Sequence, residues 1–142
     1  MRLVIAISAL LISMTPAWGQ WCSALTIRGT YGLVCTGTMS PAAGAPQVAF
    51  SAIGTAVGDF NGTFTGIAKA SIGGAIVDQT VVGTAIIDND CTGTISYTQK
   101  INGQPAPKLN LVFHILDNGK EIRGMSVDAG STLTCSLRLM NR

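Results

Sequence analysis

The residues of this chain best equipped for chemistry are four cysteines, Cys22, Cys35, Cys91 and Cys135, and their spacing decides which chemistry that is. No Cys-x-x-Cys pair occurs, and the single histidine, His114, lies far from every cysteine in sequence. A zinc site or a dithiol redox centre therefore has no support, and structural disulfides are the better reading. His114, between Phe113 and Ile115, has no serine elbow or nucleophilic thiol to accompany it, so it reads as a surface or hydrogen-bonded side chain. Asp88, Asn89 and Asp90 cluster like cation ligands but lack the later glutamate and the spacing of a calcium loop. A turn solvated by carboxylates fits them better. Asn61-Gly62-Thr63 has the form of a glycosylation acceptor and also of a turn. No catalytic residue, metal or cofactor is assigned.

Two further groups bear on binding. The run from Asp117 to Arg123 gathers charge at a hairpin. It reads as a soluble turn with cross-strand ion pairing, or alternatively as a rim where Lys120 and Arg123 meet a polar ligand group. Trp21, Tyr31 and Tyr97 supply aromatic walls or ordinary core.

The elements that position these residues begin after a leader. Arg2 starts a positive region, Leu3 to Ile12 is apolar apart from Ser8, and Ala17 and Gly19 occupy the −3 and −1 positions of a cut before Gln20. The apolar run is about half the ~20 residues that a membrane anchor needs. Gln20 and Trp21 before Cys22 argue against lipidation. Residues 1–19 thus read as a signal peptide and 20–142 as a single secreted or periplasmic domain. Without Arg2, eight basic side chains face seven acidic ones, a formal +1. The basic residues are scattered, so no nucleic-acid partner is expected. No later segment reads as a transmembrane helix, and the oligomeric state is left open.

Beyond the leader there is no apolar periodicity of helical type, and the chain's seventeen glycines interrupt it throughout. Instead, apolar and β-branched runs alternate with turn clusters. Eight strands are predicted: 25–38, 47–57, 63–72, 75–87, 94–101, 108–116, 120–127 and 131–140. Gly73-Gly74 suits a tight hairpin, as does Asp117-Asn118-Gly119. Leu109, Leu111, Phe113 and Ile115 share one face, as do Leu133, Cys135, Leu137 and Leu139. Phe64, Gly66, Ala68, Ala70 and Ile72 face inward as a mostly small-residue stripe, which lets strands curve or leaves room inside. The expected fold is all-β, an eight-stranded antiparallel up-and-down barrel that removes free edges. A two-sheet β-sandwich is the alternative.

In a closed meander, Cys22 shares an end with Cys91 in the turn between strands four and five. Cys35 and Cys135 lie on strands one and eight, which closure makes neighbours. That geometry favours Cys22–Cys91 and Cys35–Cys135 among three possible pairings.

Gly29-Thr30-Tyr31-Gly32, Asp90-Cys91-Thr92-Gly93-Thr94 and Asp117-Asn118-Gly119-Lys120-Glu121-Ile122-Arg123 together resemble a group of secreted bacterial small β-barrel proteins across almost the whole mature length. The resemblance implies a lipocalin-like or allene-oxide-cyclase-like barrel and carries no activity with it. Gly83-Thr84-Ala85-Ile86 departs from the pattern, in which an aromatic residue often follows Gly-Thr.

Three functions compete. The first is a barrel binding a small hydrophobic ligand, with Tyr31, Phe64, Ala68 and Phe113 as candidate contacts and a cavity of roughly 300 Å3 or more. The second is a non-enzymatic extracellular or envelope interaction protein with a packed interior. The third is a cyclase-type enzyme, which a buried carboxylate or tyrosine facing the cavity would favour.

Overall fold

The computed structural model describes residues 21–42 and 44–142; the signal peptide read over 1–19 lies outside them. Eight antiparallel strands follow one another: β1 (Gly29–Met39), β2 (Val48–Gly58), β3 (Thr63–Ile72), β4 (Ala75–Ile87), β5 (Thr92–Ile101), β6 (Gln104–Leu116), β7 (Glu121–Ser126) and β8 (Thr134–Asn141). Each pairs with the next, and β8 pairs back onto β1, closing a barrel. The sandwich alternative would have left β1 and β8 on separate sheets. Here they pair from Thr30 opposite Asn141 to Thr36 opposite Thr134.

Alternation accounts for the two faces. Along β6, Leu109, Leu111, Phe113 and Ile115 are buried, while Val112 and His114 between them are exposed. The inward side chains form two clusters. One, around Ile27, Tyr31, Phe64, Phe113, Ile115 and Ile122, fills the end near the start of β1. The other, around Met39, Phe50, Ala70, Leu109 and Leu133, fills the opposite end.

Disulfides tie both ends. Cys22 is bonded to Cys91 and Cys35 to Cys135. The second joins residues directly opposite across the β1–β8 seam.

Several element boundaries differ from those the sequence suggests. Leu25 to Ile27 is not strand but part of a 3-10 turn, Ala24–Ile27. The Cys22 tether and the Ser23–Thr26 bonds (Thr26 N to Ser23 O, 2.9 Å; Ser23 N to Thr26 Oγ1, 3.0 Å) bend the chain across the barrel end, where Ile27 is fully buried. This plug rests on Gly119, whose φ of +81° suits glycine and whose missing Cβ admits the Thr26 carbonyl.

Gln104 to Pro107, expected as loop, opens β6. Asn102 (φ 49°) and Gly103 (φ 79°) make a two-residue turn, so pairing starts at once with Ile101 opposite Gln104. A register shift between Tyr97 and Gln99 then takes up the extra residue of β6. Residues 127–133 form a connection rather than strand ends. Leu133 N–H donates to Ser126 Oγ (3.0 Å) and Thr132 N–H to the Thr38 carbonyl (2.9 Å), folding this loop over the second cluster.

Candidate ligand cavity in the barrel

Between the two clusters the barrel holds a partly open cavity of about 100 Å3. Its wall includes Leu33, Phe50, Ala52, Ala56, Phe64, Val81, Ile95, Leu111, Phe113, Leu133 and Leu137, together with the Cys35–Cys135 disulfide. Leu33, Ile95 and Leu137 face inward yet keep intermediate accessibility, as side chains beside a void do.

Its origin is a pattern of glycine opposite aromatic. Gly37 pairs with Phe50, Gly58 with Phe64, Gly83 with Tyr97, and Phe113 with both Gly93 and Gly124. At Gly58 and Gly93 the ring itself covers the glycine, whereas a Cβ on Gly37 would meet Thr132 and Leu133 and one on Gly124 would meet Phe113 Cβ. A Cβ on Gly83 would come within 2.6 Å of Tyr97 Cβ, and one on Gly93 within 2.5 Å of Phe113 Cζ. Rings laid against neighbouring strands leave the middle of the barrel unfilled, where Gly83, Gly124, Ala52 and Ala56 contribute little volume.

The small residues of β3 serve another purpose. Gly66 is crowded by Val81 Cγ2, 2.8 Å from where a Cβ would stand, and Ala68 by the backbone of Gly54, whose own Cβ would lie 2.6 Å from Ala68 Cα. That stripe lets β2 and β4 approach β3 closely rather than opening space.

The sequence candidates accordingly separate. Phe64 and Phe113 stand on the cavity wall, whereas Tyr31 and Ala68 do not. Tyr31 is fully buried beneath it, tilted against Phe64 with ring centroids 6.3 Å apart, and its hydroxyl donates to the Gly119 carbonyl at 2.9 Å. Trp21 is 77% exposed and forms no wall. The ion pairs of the 117–123 segment are local, Lys120–Asp117 at 3.4 Å and Arg123–Glu121 at 2.7 Å, not cross-strand, and the three charged partners Lys120, Asp117 and Arg123 lie largely in solvent. They contribute little to stability.

Asp90 Oδ1 accepts from Thr92 Oγ1 (2.6 Å) and Thr92 N–H (3.0 Å), an Asx turn. Those bonds hold its carboxyl below the usual range. Among the described residues no cluster of three or more His, Cys, Asp or Glu side chains could hold a metal ion. No helix there is long and apolar enough to cross a membrane.

Two of the lining residues are polar: Tyr97, which the sequence offered as an aromatic wall, and Gln79, which it did not single out. Gln79 Nε2 donates to Gln99 Oε1 (2.6 Å), and Gln99 Nε2 donates to the Pro107 carbonyl (2.8 Å). Because Pro107 O only accepts, this chain fixes the orientation of both amides. Tyr97 makes no hydrogen bond through its hydroxyl among the described residues. Burial, with the Asp128 charge adding to it, pushes its phenol from the ordinary 10.0 up to about 12.

The sign of the resulting pH dependence follows. The folded state holds this proton more tightly than the unfolded chain, so the stabilisation is complete below pH 10 and is lost as pH rises towards 12. The loss amounts to about 2–3 kcal/mol. Tyr31 is raised too, by burial partly opposed by Arg142. Ultraviolet titration of tyrosinate should therefore show no step at pH 10 in the folded protein, and a tyrosine titrating there would contradict the burial of both rings.

No known family's sequence profile matches the chain, and no curated protein matches it. A solved structure of a redesigned β-barrel, mFAP1, bound to DFHBI, is similar at 17% identity and a TM-score of 0.47, covering 81% of this chain and 96% of that one. The barrel assignment for this chain rests on its own strand pairing.

Proposed function

We propose that the protein is an exported, non-enzymatic barrel, secreted or periplasmic, whose domain of residues 20–142 takes up one compact, mostly apolar ligand in its central cavity. The observation that carries this is the cavity itself, about 100 Å3 with only two polar side chains among its lining residues. The leader pattern and the two disulfides support export.

The volume narrows the ligand. At about 100 Å3 it is well short of the roughly 300 Å3 expected from the sequence, where drug-sized sites begin, because the inward side chains of both clusters fill most of the barrel. It approaches the ~150 Å3 of an engineered apolar cavity that stays dry and binds benzene. A single ring or a short branched chain is the right scale. Tyr97 does face the cavity, as a cyclase-type catalyst would want, yet no carboxylate, histidine or lysine joins it on the wall. The wall offers burial and one or two hydrogen bonds.

Benzene titrated into the full-length mature chain should shift the methyl resonances of Leu33, Leu111 and Val81 saturably. Ala56→Leu, which adds apolar volume to the wall, should weaken that binding at least about tenfold while leaving stability within ~1.5 kcal/mol, because the new methyls enter existing space. Ala52→Val provides a gentler filler if the first variant folds poorly. Absence of a saturable shift in the unmodified protein would remove this function. The interaction-protein reading would then lead, supported by the exposed β-branched outer face that includes Ile53, Ile67, Ile76 and Ile86.

A further inference from the structure

We propose that the ligand is uncharged and carries a hydrogen-bond acceptor, a carbonyl or ether oxygen on a compact apolar body, and that the Tyr97 hydroxyl selects it by donating to that oxygen. This rests on the cavity reading above. The cavity has apolar walls everywhere except at Gln79 and Tyr97. Gln79 is already engaged, its amide held by Gln99, which is held in turn by Pro107. Tyr97 is not engaged: its Cβ packs against Gly83 opposite it, while its hydroxyl makes no hydrogen bond among the described residues.

The Tyr97 hydroxyl keeps some accessible surface, since Ser131 Oγ is the one sealed side-chain polar atom without a partner among the described residues. A polar group held beside apolar walls with no partner is still costly, and buried polar groups in native proteins are as a rule satisfied. The other buried tyrosine follows that rule, since Tyr31 donates to Gly119 O. Phenylalanine would fill the Tyr97 position with the same ring and no such cost. The hydroxyl is a feature that packing does not require, on a residue that lines the cavity. The raised phenol pKa keeps it protonated, hence a donor, throughout the physiological range. A charged ligand finds no counter-ion on this wall, and its desolvation would go uncompensated.

The test compares two probes of one shape, cyclopentanone and methylenecyclopentane, against the unmodified mature protein and Tyr97→Phe. Because the variant removes one oxygen and keeps the ring, thermal melts should show it folded. Cyclopentanone binding is expected to weaken about tenfold in Tyr97→Phe, and methylenecyclopentane binding by less than about twofold, the difference being the worth of one buried hydrogen bond. If both probes bind the unmodified protein and the substitution changes them equally, or changes neither, the Tyr97 assignment is wrong and the cavity reading survives. If neither probe nor benzene binds the unmodified protein, both are wrong.

Discussion

Replacing Cys35 and Cys135 together by alanine is expected to cost the fold about 4 kcal/mol, most of the stability of a domain at the low end of the ordinary range. The two cysteines are 100 residues apart in sequence and directly opposed on β1 and β8. Freed of the bond, the unfolded chain gains the entropy of a long loop. The folded chain loses the covalent clasp of its closing seam, where pairing already shifts register beside Thr30 and Tyr31. Truncation also removes two sulfurs from the cavity wall, so the variant should open the cavity as it weakens the barrel.

The bond between Cys22 and Cys91, with a separation of 69, closes a comparably long loop but secures a different part. Its removal should release the Ala24–Ile27 plug, giving faster amide exchange there ahead of global unfolding. Urea melts of the two double variants, with exchange measured on each, separate these effects. A seam variant losing under ~1 kcal/mol would mean that the hydrogen-bond ladder alone closes the barrel.

Gly93→Val is the second large effect, with a loss of about 3 kcal/mol or more expected. Gly93 is buried and opposite Phe113. Its Cβ would stand 2.5 Å from Phe113 Cζ and 2.9 Å from Cε2, and would also meet the Ile86 carbonyl, which belongs to the ladder and cannot swing away. The ring would have to leave the strand it lies on and enter the cavity. Benzene binding should fall along with stability. Thr94→Val is the control: one residue on, it points outward, and its cost should stay within ~0.5 kcal/mol. Equal losses at the two positions would show that strand propensity governs β5 rather than the ring-over-glycine contact.

The meander was legible in the residues alone. Strand periods of two, punctuated by Gly73-Gly74 and Asp117-Asn118-Gly119, specify antiparallel neighbours through local conformational preference alone. Eight such strands closing on themselves bring Cys35 opposite Cys135 and Cys22 near Cys91. Alternation likewise settled which residues of β3, β6 and β8 face inward, and so put Phe64 and Phe113 inside. Local signals did not reveal which inward residues touch the void. Ala68 looks spacious in a one-dimensional reading, but its space is taken by Gly54 on the neighbouring strand. Tyr31 shares the inward face of β1 with Leu33, yet the plug and Gly119 claim it at one end of the barrel.

The cavity depends on cross-strand register, through which Gly58 receives the ring of Phe64 and Gly93 that of Phe113. Register joins residues far apart in sequence, and nothing local encodes the pairing of Gly37 with Phe50 or of Gly124 with Phe113. Tyr97 illustrates the division. Its type, its strand and its candidacy as an aromatic wall were legible from the start, while its pairing opposite Gly83, its unpartnered hydroxyl and the choice of wall over core were decided only once the barrel had closed.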